Sequence, residues 1–415
     1  MDEVRRKGAM GMLKKIKEAF LTKEYQKLFA AMTGISLGIY LLLSLLLGKG
    51  FFSVIYYIRN EDVFMDFFNS IRDSAQGMDA YLERKIIYPP MANMIFFLFS
   101  KLTPEVYNHT VFEDRYDWIN YGDAIGLIVG FIAVSALILA VLIFLSQKGK
   151  FWIRCAVSAL TLCTVPFLNL FERGNLLSLC FLGLLVYMLC DRSRNVAVRE
   201  VGLVFLALAI SLKLYPALFA WLLIGDRRWK DFIRVVVYSV ILLILPAFVF
   251  GDPTCLLAMV ENIFSFSSGS GGALGAMSRV THLPQWVVNG IMYGWFLIAA
   301  AVFAVSPYIF KEKWMVWMAG CVVFISYPPL TTTYAWILFV IPLLLMFWEG
   351  MRGEKNLPYF FAMTIPFLHL CVPVTFHVTA NVLAVYGCLF VLTVLLTRDA
   401  LHELRVKKGR VSAKE

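Results

Sequence analysis

The chain has 415 residues, 60% hydrophobic and only 16% charged, with a mean hydropathy of +0.74. Soluble domains hold roughly half apolar and about a quarter charged residues, so these values exclude a soluble globular protein and imply an integral membrane one. The formal charge of +10 sits mostly at the two ends and in short loops, the pattern that orients a membrane protein and not one that binds nucleic acid.

Apolar runs fit for helices of about 20 residues recur from Leu28 to Thr397. Backbone groups in lipid must bond within the protein, so such runs predict an all-α polytopic bundle and not a barrel. The segment Met1 to Gln26 is basic and amphipathic and lacks a signal-peptide core and cleavage site. The expected organisation is a cytoplasmic N-terminus (1–27), a transmembrane domain (28–397) and a basic cytoplasmic tail (398–415). Cys155, Cys163, Cys180, Cys190, Cys321, Cys371 and Cys388 lie within apolar runs with no CxxC pair, and read as small hydrophobes.

Positive-inside counting threads the chain. A first span, Leu28 to Leu47, places Lys49 to Pro90 outside. Met91 to Leu102 is too short to cross and reads as re-entrant, ahead of an acidic loop from Thr103 to Asp123. Crossing resumes at Ala124 to Ser146. A hairpin, Phe151 to Leu170 and Asn175 to Leu189, exposes Glu172–Arg173–Gly174–Asn175 outside. Val201 to Ile224 would begin and end on the cytoplasmic side, which a break at Lys213–Leu214–Tyr215–Pro216 resolves, because proline cannot continue a helix ladder. Lys213 is then recessed below the outer surface. After Phe232 to Phe250 comes a Gly/Ser-rich outer loop, Asp252 to Gln285. Trp286 to Phe310, Trp314 to Ser326, Tyr334 to Trp348, Tyr359 to Val374 and Val378 to Thr397 complete about a dozen spans.

On this threading the unusual polar residues share the outer side: Asp62, Asp66, Arg173, Lys213, Tyr215, Arg279, His282 and Tyr334. Ionisable groups in or beside hydrocarbon are costly and mark functional sites by default. Bland readings stand beside this one. Asp66 also reads as a solvated loop carboxylate, Lys213 as a snorkelling side chain, Arg173 as a hairpin cap, and Arg279 and His282 as exposed loop residues. The combination favours chemistry: a carboxylate that deprotonates an acceptor hydroxyl, beside cations that neutralise a departing phosphate, is what glycosyl transfer from a lipid phosphate needs. No Walker or dinucleotide glycine pattern is present.

These residues carry a resemblance. Asp66–Phe67 in the first outer loop is followed by Tyr88–Pro89–Pro90, Arg173–Gly174–Asn175 and Lys213–Leu214–Tyr215–Pro216. Arg227–Arg228–Trp229 and the stretch Ser326–Tyr327–Pro328–Pro329 to Tyr334–Ala335–Trp336 complete the order. From Leu28 to Trp348 the chain resembles the GT-C superfamily, and within it glycosyltransferase family 87, the polyprenyl-phosphate-mannose-dependent mannosyltransferase-like proteins. It departs in having Thr331–Thr332–Thr333–Tyr334 where many relatives carry a histidine pair. The resemblance implies a GT-C bundle with broken or re-entrant helices and a long first outer loop. It also implies an inverting hexosyltransferase that uses a polyprenyl-phosphate sugar.

By position Asp66 then matches the catalytic aspartate, with Asp62 as its substitute, and Lys213 the lysine of a Lys-x-x-Pro element. Arg173, Asn175 and Tyr215 are expected at the donor phosphate. Tyr88, Arg279, His282 and Tyr334 are expected at the acceptor or its loop. No cofactor is required, with a divalent cation beside Asp62 and Asp66 as the open variant. The expected partners are the lipid-linked donor, a glycan or lipid-linked acceptor and membrane lipid, in a multi-pass cell-membrane protein whose site is extracytoplasmic. Two rivals remain: a cell-surface polysaccharide polymerase, for which arginines of two outer loops would matter more than Asp66, and a transporter or flippase, which predicts paired broken helices.

Overall fold

The computed structural model describes residues 25–52, 63–77, 79–102, 122–191, 193–250, 254–267, 281–327, 332–349, 354–370, 372–375 and 378–412. The architecture is helical: α1 (Tyr25–Leu47), α2 (Met65–Ser74), α3 (Pro90–Leu102), α4 (Gly122–Leu145), α5 (Phe151–Leu162), α6 (Val165–Arg173), α7 (Leu177–Asp191) and α8 (Val196–Leu212). Then follow α9 (Ala217–Gly225), α10 (Trp229–Ala247), α11 (Cys255–Ser267), α12 (Gln285–Ile309), α13 (Lys313–Ser326), α14 (Val340–Glu349), α15 (Leu357–Thr364) and α16 (Ala380–Ser412). A 3-10 segment, Thr333–Phe339, leads into α14, and β1 (Pro373–Thr375) pairs with β2 (Val378–Thr379) as a small antiparallel hairpin before α16.

Among the described residues four helices, α1, α4, α12 and the part of α16 up to Lys407, are long and apolar enough to cross a membrane. The α5–α6 pair, bent by 51°, makes a fifth if it counts as one span. Single helices therefore do not reach the expected dozen. At about 1.5 Å of rise per residue, the shorter apolar helices cannot cross a layer of about 30 Å alone. The sequence cuts its own runs. Thr164 with Pro166 bends the chain between α5 and α6, and Lys213 is extended (φ −148°, ψ 128°) ahead of Pro216, which opens α9. A second difference is α11, which lies inside the segment expected to be a plain loop. A third is α16, which continues unbroken past Thr397 into the basic tail, because its Leu, Lys and Arg residues favour helix.

The core runs through the middle of the bundle, with Phe67, Phe96, Ile128, Phe181, Trp336 and Leu389 all buried in one cluster. The outside inverts the rule for soluble proteins. Ile35, Leu45 and Leu46 of α1 and Val129, Val134 and Leu137 of α4 are exposed. Apolar exposure of this extent belongs to a surface that meets lipid.

Two packings position the functional loops. α2 lies against α3, and the 3-10 segment before α14 lies against α6. The start of α2, the end of α6, the α8–α9 break and the start of the 3-10 segment therefore meet.

Candidate active site

Asp66 is the second residue of α2. Phe64 precedes it in a left-handed conformation (φ 57°), and the Phe64 N–H donates to the carbonyl of Glu172 at 2.7 Å, tying this helix start to the end of α6. A carboxylate in a first helical turn also meets the positive end of the helix dipole. Arg173 is the last residue of α6, and Gly174 (φ 63°) reverses the chain behind it. The two side chains close a fork-on-carboxylate pair: Arg173 Nη2 to Asp66 Oδ1 at 2.6 Å and Nε to Oδ2 at 2.8 Å. Planar two-bond contacts of this kind fix orientation as well as charge.

Asn175, buried at 3% exposure, bridges the rest of the site. Its amide nitrogen donates to Asp66 Oδ2 at 2.7 Å, while its oxygen accepts from Lys213 Nζ and from the Leu177 N–H, both at 2.9 Å. The bond to Leu177 is a local asparagine turn that opens α7. Lys213 reaches Asn175 because α8 ends there. Its ammonium lies 5.4 Å from the centre of the Tyr88 ring. Tyr88 and Tyr334 are half-buried beside the pair, within electrostatic reach of both Asp66 and Arg173. Tyr215 stacks on Phe324 with ring centres 3.7 Å apart.

The structure thus brings together Asp66, Arg173, Asn175, Lys213, Tyr88, Tyr215 and Tyr334. Arg173, expected at the donor phosphate, is paired with Asp66. His282 stands exposed just before α12, with φ 55°. Asp62 and Arg279 lie outside the described residues. Among the described residues named above, the charged groups are Arg173, Lys213 and Asp66, and Lys213 makes no ion pair among the described residues: its hydrogen bond goes to a neutral amide. A lysine held by a neutral amide favours an anionic ligand. Asp66 has about four acceptor positions as a carboxylate, and Arg173 and Asn175 take three, leaving one for an incoming hydroxyl. No three His, Cys, Asp or Glu side chains converge to hold a metal among the described residues.

Two supporting residues escape a reading of the sequence. Asn93, fully buried in α3, donates to the Tyr88 carbonyl at 3.2 Å and to the Tyr81 hydroxyl, and accepts from Ser74 at 3.3 Å. Asn262 of α11 donates to the carbonyls of Tyr81 (2.9 Å) and Ile86 (3.1 Å). Together they pin the segment that presents Tyr88. A lone asparagine inside each apolar run was the available signal, since a buried amide must find partners.

A helical membrane protein with an ion-paired carboxylate beside a lysine held by a neutral amide is the class that fold and site define. The model of glycosyltransferase family 87 matches residues 86–327, more than half of the chain, and the protein belongs to that family. It is a membrane glycosyltransferase. The matched stretch includes Tyr88, Arg173, Asn175, Lys213 and Tyr215, whereas Asp66 and Tyr334 lie outside it. No curated protein and no solved structure matches the chain.

Proposed function

We propose that the protein transfers a hexose, mannose by the family resemblance, from a polyprenyl-phosphate sugar to a hydroxyl of a glycan or lipid-linked acceptor outside the cytoplasm. Asp66 is the general base, and Lys213 holds the donor phosphate. Arg173 and Asn175 orient Asp66, while Tyr88, Tyr215 and Tyr334 line the space for the sugars. The loop of Arg279 and His282 covers the acceptor. The transferase domain spans 28–397 of a multi-pass cell-membrane protein, with short helices paired to complete its crossings and both termini cytoplasmic.

The observation that carries this reading is the Asn175 bridge. One amide holds the carboxylate by its nitrogen and the ammonium by its oxygen, so the base and the phosphate-binding cation are held on either side of a single side chain. An acceptor hydroxyl on Asp66 and a phosphate on Lys213 would face each other across the anomeric carbon, the alignment an inverting displacement requires. The oxyanion that forms on the phosphate is neutralised where it develops.

The test is transfer of radiolabel from a polyprenyl-phosphate sugar in membranes carrying the protein or Asp66→Asn. General bases contribute about 10²–10⁴-fold, and a loss in that range is expected. Unchanged transfer would remove Asp66 as the base.

A further inference from the structure

The helix α11, inside the segment expected to be a plain outer loop, has three unlike faces. Its inner face buries Cys255, Met259 and Asn262 against the protein. Cys255 and Met259 share a cluster with Ala80, Tyr81 and Ala247, the last residue of α10. A second face carries Leu257, Val260 and Phe264, which are 68%, 43% and 72% exposed. At 3.6 residues per turn these three fall within about 60° of arc. A third face, about a quarter turn away on the same geometry, carries the exposed Glu261 and Ser265.

We infer that α11 lies at the boundary of the bilayer, with Leu257 and Val260 in the acyl region of the leaflet on the side of the recess and Glu261 in water. Three observations select lipid as what covers the apolar face. First, that face adjoins a surface of the kind that α1 and α4 present. The helix packs on Ala247, and on either side of Ala247 in the chain Ile241, Leu245, Phe248 and Val249 are apolar and exposed. Second, the helix has 13 residues, about 20 Å at 1.5 Å each, too short to cross a hydrocarbon layer of about 30 Å. Third, Glu261 is costly in hydrocarbon, so its strip reaches water while the strip beside it is apolar. A helix whose exposed surface divides in this way lies in the plane of the interface.

The inner face fixes the leaflet. Asn262 donates to the carbonyls of Tyr81 at 2.9 Å and Ile86 at 3.1 Å, and Ile86 stands two residues before Tyr88, whose ring faces the Lys213 ammonium at 5.4 Å. The lipid contact is thereby one side chain away from the segment that enters the recess. The inference goes beyond the proposed reaction and does not depend on it.

The test is photo-crosslinking of the full-length protein in liposomes of phosphatidylethanolamine and phosphatidylglycerol. The variants are Leu257→benzoylphenylalanine, Val260→benzoylphenylalanine and Glu261→benzoylphenylalanine, one at a time, with adducts read by peptide mass spectrometry. Phospholipid adducts at 257 and 260 are expected to exceed those at 261 about tenfold or more. The unsubstituted chain gives an independent reading: in the same liposomes a lipid-soluble diazirine should label Leu257 and Val260 and spare Glu261. Equal lipid adducts at the three positions overturn the inference. So do crosslinks from 257 and 260 that run only to other segments of the chain or to a second copy, and so does a diazirine pattern that spares Leu257 and Val260. None of these readouts uses transfer, so failure here leaves the proposed reaction standing, and loss of that reaction leaves the lipid contact standing.

Discussion

Gly174 is seated directly against Phe67: a Cβ placed on Gly174 would lie 2.7 Å from the Cβ of Phe67 and 3.0 Å from Cδ1 of Ile128. Arg173 and Asn175 flank this glycine and Asp66 precedes Phe67, so the close approach of two backbones is what sets the carboxylate into the arginine fork. Gly174→Ala would add a left-handed strain of about 1–2 kcal/mol and an overpacking cost of about 1–3 kcal/mol. The expected result is a lower unfolding temperature in detergent together with loss of transfer.

Asn175→Asp keeps the shape of the bridge, adds a charge and replaces the amide donor to Asp66 with an acceptor of like charge. The new carboxylate would pair with Lys213 at the position where the amide oxygen now accepts at 2.9 Å, neutralising that lysine. Donor KM should rise about tenfold or more, with a smaller effect on unfolding temperature. Steady-state kinetics over a range of donor concentrations checks this.

A second ionic cluster, away from the recess, holds three loops together. Arg228 bonds Asp191 and also Asp231, at 2.8 Å, while Lys313 bonds Asp226 at 2.9 Å and Asp191 at 3.4 Å. The ends of α7 and α9 and the starts of α10 and α13 are thereby joined. Arg228 is raised above the ordinary guanidinium range: burial alone would lower it, but Asp191 and Asp231 outweigh that. Arg228→Ala should cost about 1.5–3 kcal/mol, the scale of hydrogen bonds to charged groups. A fall in unfolding temperature with donor KM unchanged is the expected outcome, because none of these residues touches the recess.

Gly183 and Gly202 let α7 and α8 lie close. A Cβ on Gly183 would stand 2.9 Å from the Phe205 carbonyl oxygen, and one on Gly202 2.8 Å from the Cβ of Cys190. Small residues permit such approach between helices in a membrane. Gly183→Val should separate the pair, shifting Asn175 at the head of α7 relative to Lys213 at the end of α8. Reduced transfer with reduced thermal stability is expected from paired activity and unfolding assays.

Some of this was open to a reading of the sequence. The α8–α9 break was legible because Pro216 carries its constraint in its own ring, and the short α3 was legible from the length of its apolar run. The helix α11 was not, since a Gly/Ser-rich neighbourhood masks a 13-residue segment that buries only Cys255, Met259 and Asn262 among its described side chains. Nor was the shortness of so many helices. Apolar runs continue through bends such as that of 51° between α5 and α6, and hydropathy is blind to direction.

Composition and the placement of breakers and charges along the chain were enough to establish a helical membrane protein with its unusual ionisable residues in a few loops. Burial in lipid depends on each residue's own transfer free energy, which sums along a sequence in order. Which charges pair depends on distances in space. Asp66 meets Arg173 across 107 positions and Lys213 meets Asn175 across 38. Only packed helices could decide that Arg173 would meet Asp66, because Coulomb energy and hydrogen-bond angle change over fractions of an ångström that no spacing in the chain records.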